Sequence, residues 1–139
     1  MIKISKRQMA VIDSSVEEAY ARDMARYLRE EHPEDVAGLS DEQLYGRVHV
    51  AIARAVRYDL TWDTSITAFV AIMFAVAPNF DEQPAIRAVM NDERVPPNLR
   101  IDALWDRTTD DDWEEAALYA AQAEDGFWRA ALPAQKNGG

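Results

Sequence analysis

The residues best suited by type and spacing to do chemistry lie in the acidic stretch DRTTDDDWEE, 106–115. Asp106, Thr108, Asp110 and Asp112 fall at the first, third, fifth and seventh positions of a calcium-loop pattern, where oxygen ligands surround a hard cation. The sixth position is Asp111 where glycine must make a sharp turn, and the twelfth is Ala117 where a bidentate glutamate should close the site. The better reading is a helix start, in which three aspartates complement the positive end of the macrodipole at about 0.3–1 kcal/mol each. His32 and His49 cannot form an i, i+4 metal pair and lie in no zincin-like arrangement. Ser14, Ser15, Ser40 and Ser65 lack a GxSxG turn. No GxGxxG or GxxxxGK pattern offers a phosphate cradle, and there is no cysteine for thiolate chemistry. Two of the twenty-five acids could still meet in a cleft, as glycoside hydrolysis requires, but sequence does not pair them. No catalytic, cofactor-binding or metal residue is therefore expected, and the chain reads as a non-enzyme. A metal-dependent hydrolase using the cluster 106–115 is retained only as a second alternative.

Two other features point to contact with a protein. The formal net charge is −10; residues 1–80 carry nine Lys/Arg against twelve Asp/Glu, and residues 81–139 six against thirteen. This balance argues against nucleic acid as a ligand and makes the second half the place that attracts a basic partner. Asp111 and Glu115, four apart on one helical face, are its expected charged contacts. Phe127 and Trp128, beside a polar tail, are its expected apolar anchor, since tryptophan is enriched at interface hot spots. A second candidate surface is a basic ridge of Arg47, Arg54 and Arg57, on the side of their helix away from Leu44 and Ile52; the competing reading pairs these arginines internally with acids of neighbouring helices.

Helices must position all of these residues, because apolar spacing is helical almost everywhere and no segment alternates as a strand would. Ser5 with Gln8 starts a first helix with the stripe Met9, Ile12, Val16, Tyr20, Met24, Tyr27, Leu28, stopped at His32-Pro33. Ser40 with Gln43 starts a second, carrying Leu44, Val48, Ile52 and Ala55 and ending near Asp59. A third runs from the cap candidate Asp63 to Ala77. Its uncharged stretch from Ile66 covers only about 18 Å, against roughly 30 Å for a bilayer core, so it reads as a central buried helix stopped by Pro78. Phe80 is expected to fold back on it as an apolar plug, with Asp81 capping a short fourth helix that begins at Pro84 and runs through Met90. A fifth carries Leu99, Ile101, Leu104 and Trp105, and Thr109 caps a sixth, which Gly126 ends or bends. The expectation is an all-α fold: one domain, 1–132, of about six helices packed around 63–77, with 133–139 a frayed tail. The absence of cysteine and of a signal-peptide pattern predicts a cytoplasmic protein that engages no membrane.

The segment from Ile52 to Leu104 resembles small helical proteins encoded beside effector and spike genes of bacterial type VI secretion systems. The elements shared in order are Tyr58, Met73-Phe74, Phe80-Asp81 and Pro84, whereas Asp59 and Ala77 stand where that group often has glycine. The resemblance implies an accessory or adaptor protein, binding an effector or its chaperone and assisting loading onto the spike. An immunity protein that neutralises a cognate toxin is the alternative. The partner is in each case another protein, and no cofactor is implied.

Overall fold

The computed structural model describes residues 14–131, with the side chains at 14–16, 124–126 and 129–131 left undescribed. The expected Ser5–Gln8 start, Met9, Ile12, the side chain of Val16 and the tail 133–139 lie outside what is described. Six α-helices and no β-strand occur among the described residues: α1 (Ser14–Glu31), α2 (Asp41–Val56), α3 (Asp63–Ala75), α4 (Pro84–Met90), α5 (Arg100–Arg107) and α6 (Asp110–Ala131). One contiguous apolar cluster draws residues from all six, so the chain is an all-α single domain. None of these helices is long and apolar enough to cross a membrane.

The helix boundaries follow from local chemistry. Helix α1 buries Ala21, Met24 and Leu28, while Tyr27 turns off that face and stays exposed. Pro33 ends it and opens a 3-10 turn, Pro33–Val36. Arg29 then stitches the loop, its guanidinium donating to the carbonyls of Val36 and Leu39 at 3.0 and 2.7 Å and to Asp41 at 3.0 Å. Helix α2 begins with a complete capping box, Ser40 Oγ accepting from Gln43 N and Gln43 Oε1 from Ser40 N. It packs against α1, α3 and α6. It ends at Val56, and Asp59 in the following turn has a φ of 66°, the left-handed region that favours glycine.

Helix α3 buries Ser65, Ile66, Phe69, Val70 and Met73 and ends at Ala75, two residues before the expected Ala77. Asp63 does not cap it: Trp62 holds the cap position with no side-chain capping bond, and the Asp63 carboxylate accepts from the Tyr20 hydroxyl at 2.8 Å. The amide oxygen of Asn98 instead accepts from the backbone N–H groups of Thr61 and Trp62 at 2.9 and 3.0 Å. Asn98 also donates to Thr61 Oγ1 and accepts, through its backbone carbonyl, from Ser65 Oγ. A chain segment far along the sequence thus fixes the entry to α3.

After Pro78 the 3-10 turn Phe80–Glu82 inserts Phe80 into the core as a fully buried ring, 5.0 Å from Phe69 and 6.0 Å from Trp113 between centroids. Asp81 is not the cap of α4. That position belongs to Gln83, whose Oε1 accepts from Ile86 N at 2.9 Å. Arg100, buried beneath the α4–α5 connection, donates to the carbonyls of Val95 and Met90. Thr109 caps α6 as expected, accepting from Asp112 N while Asp112 Oδ2 accepts from Thr109 N. Helix α6 runs through Gly126 without ending there.

Replacing Phe80 with alanine is expected to lower unfolding stability by about 3–5 kcal/mol, measured by urea denaturation. A valine in place of Asp59, β-branched in a left-handed position, is expected to cost about 1–2 kcal/mol in the same assay.

Candidate functional site

The 3-10 turn after α3 carries a deeply buried carboxylate group, that of Asp81. Asp81 is 2% exposed and faces α2. Arg54 Nε donates to its two oxygens at 2.9 and 3.2 Å, and the Tyr58 hydroxyl donates to Oδ2. Arg54 also reaches Glu82 Oε2 at 3.3 Å, and its side chain keeps only 13% exposure. Burial, with the hydrogen bond to Asp81 second, raises the Tyr58 phenol above its ordinary range; burial and Asp63 do the same to Tyr20. A carboxylate this deep needs its charge matched and its lone pairs filled, which Arg54 and Tyr58 supply. Both oxygens of Asp81, the Tyr58 hydroxyl and Arg54 Nε and Nη2 are engaged, an arrangement that locks α2 to the turn.

Gln83 repeats this pattern toward α6. While its oxygen caps α4, its Nε2 donates to Glu115 Oε1 at 2.9 Å and to Asp112 Oδ1 at 3.3 Å. Asp112 is therefore occupied by two structural bonds. Among the described residues no group of three or more His, Asp or Glu side chains is placed to hold a metal ion. His32 lies 3.7 Å from Asp35, and His49 packs edge-on against Tyr45.

Of the seven sequence-derived partner residues, the structure buries Trp128, partly covers Arg47, Arg54 and Phe127, and leaves three exposed. Trp128 is corrected from a surface anchor to a core residue: it is 6% exposed and stacks on Phe74 at 5.5 Å. Phe127 is partly buried, edge-on to Trp128. Of the basic ridge, Arg54 follows the competing reading and pairs internally with Asp81 and Glu82. The Arg47 guanidinium sits 5.2 Å from the Trp128 ring centroid, and that of Arg54 sits 5.0 Å from Phe127. Parts of the two surfaces expected to meet a partner, Arg47 with Arg54 and Phe127 with Trp128, thus meet each other across the α2–α6 contact, where cation–π attraction joins them. Arg57 stays exposed, as do Asp111 and Glu115, although Glu115 accepts from Gln83.

Sequence reading placed Trp105 among the apolar residues of the fifth helix and missed its exposure. It is 58% exposed, yet its ring stacks on Trp113 at 5.3 Å with 24° between planes, and Trp113 is held by an Nε1 bond to Thr108 Oγ1. The available signal was its position directly after Leu104, which occupies the buried face of α5. Leu118 on α6 is exposed further still, at 71%.

Compared with known proteins, the chain matches no family model, no curated protein and no solved structure.

The raised phenols set the sign of an alkaline transition. In the unfolded chain a tyrosine loses its proton near pH 10, whereas the folded state retains the neutral form. Stability is therefore fully present below about pH 10 and falls as pH climbs above it. Denaturation midpoints measured across this range should fall less steeply for Tyr58→Phe than for the parent protein.

Proposed function

We propose that this protein is a non-enzymatic accessory or adaptor protein that binds a type VI secretion effector, or the chaperone carrying it, and assists loading. The observation that carries the non-enzymatic part is the internal use of its chemical groups: Asp81, Arg54, Tyr58, Gln83 and Asp112 all bond within the fold. The tyrosine and aspartate of the family resemblance, Tyr58 and Asp81, are hydrogen-bonded to each other. This supports a motif that builds the scaffold and leaves the surface to do the binding. Asp59, standing where that group often has glycine, takes up a left-handed backbone, which supports the same alignment.

The net charge of −10 favours one other reading, an immunity protein that engages a basic toxin, because charge complementarity steers association. Affinity capture with the products of adjacent genes separates the two. The expected result is co-purification of an effector or adaptor chaperone, with delivery to the spike reduced when this gene is deleted. Protection from a neighbouring toxin by this gene alone would replace the accessory reading with immunity. Metal-dependent turnover abolished by changing Asp110 or Asp112 would overturn both.

A further inference from the structure

Over residues 110–123 helix α6 touches the rest of the fold along one side, which faces the 3-10 turn Phe80–Glu82 and buries Ala116 and Ala123; Trp128, farther along and at about the angle of Asp110, is buried against Phe74 of α3. Successive residues of an α-helix are about 100° apart, so the opposite side carries Asp110, Glu114, Ala117, Leu118 and Ala121, all exposed. Trp113 lies between the two sides, and Trp105 stacked on it borders the outer one. The outer side thus has a tryptophan at one edge, a leucine exposed to 71% at the other, and alanines one turn apart between them. We propose that this face is a docking surface for a basic amphipathic helix of the protein partner, an inference that rests on the binding role above and names the chemistry bound.

Each part of the face fits that occupant. Trp105 is immobilised by stacking while still exposed, so it anchors a partner at little cost in side-chain ordering. Ala117 and Ala121 let a partner helix approach closely, since interaxial distance depends on the side chains at the contact. Leu118 offers the apolar contact at the far edge. The charges then select the sign of the partner: Asp110, Asp111 and Glu114 are exposed, and none forms an ion pair with a described residue. Lysines or arginines flanking the apolar stripe of the incoming helix meet them, speeding association at low salt. A second copy of this chain fits poorly, because two such acidic faces repel.

The probe is a synthetic amphipathic helix of leucine and lysine, titrated against the full chain by tryptophan fluorescence and by association kinetics at two salt concentrations. The parent protein is expected to bind it and to ignore a version with glutamate in place of lysine. Trp105→Ala should weaken binding about thirtyfold, chiefly by faster dissociation. Leu118→Glu, at a position too exposed to disturb folding, should weaken it about tenfold or more. Glu114→Lys should slow association and flatten its salt dependence, while the charge-matched Glu30→Lys on α1 should leave both nearly unchanged. Equal effects of Glu114→Lys and Glu30→Lys would reduce the interaction to unspecific attraction and overturn the proposal. Parent-like binding by both Trp105→Ala and Leu118→Glu would do the same, as would a dimer of the parent chain that Leu118→Glu dissolves. The outcomes also part this face from the accessory role. A captured gene product that binds Leu118→Glu unchanged sinks the face alone, and Leu118-dependent peptide binding with no captured product sinks the role alone.

Discussion

A carboxylate taken out of water must have its charge answered where it lands, and in this fold that requirement falls on Asp81. Arg54 on α2 and Tyr58 in the turn just after it answer it together. Once they do, the position of the chain after α3 is fixed, and with it the residues on either side. Phe80 enters the core against Phe69 and Trp113, and Gln83 caps α4 while reaching α6. Four consecutive residues, Phe80 to Gln83, thus address α2, α3, α4 and α6. The same arginine that neutralises Asp81 lies over Phe127, so the charge pair also helps set the second half of α6.

Helix starts were legible because their signals are local. Ser40 with Gln43, Pro84 and Thr109 each act within one turn, and each sits where the sequence placed it. Phe80 was legible as a core residue because an aromatic ring next to a helix stop has few other places to go. The capping roles of Asp63 and Asp81 were misjudged for one shared reason: a distant tyrosine competes for the carboxylate in each case. Such competition links residues 43 and 23 positions apart, which spacing rules do not see.

The partner surfaces show the same limit more sharply. Arg47 and Arg54 form a ridge only while α2 is drawn alone, and Phe127-Trp128 looks outward only while α6 is. Docking the two helices joins cations to rings, buries Trp128 and leaves Arg47, Arg54 and Phe127 only partly exposed. What stays outside is set by the angle at which α6 lies on the turn, a property of the assembled bundle. Trp105 and Leu118 are therefore visible as surface residues only once the helices are packed.

Asn98 has a consequence for the birth of the protein on the ribosome. The entry to α3 is held by an amide that is synthesised 36 residues after Trp62. Domains generally fold as units during synthesis, at about 5–20 residues per second. Helices α1 and α2 can pair soon after they emerge, but the N-terminal end of the apolar helix must wait several seconds for its clasp. During that interval Ile66, Phe69 and Met73 lack their final cover, so the nascent chain passes through a stage at which a chaperone that recognises apolar helices has something to hold. The acidic α6 is made after the other five described helices.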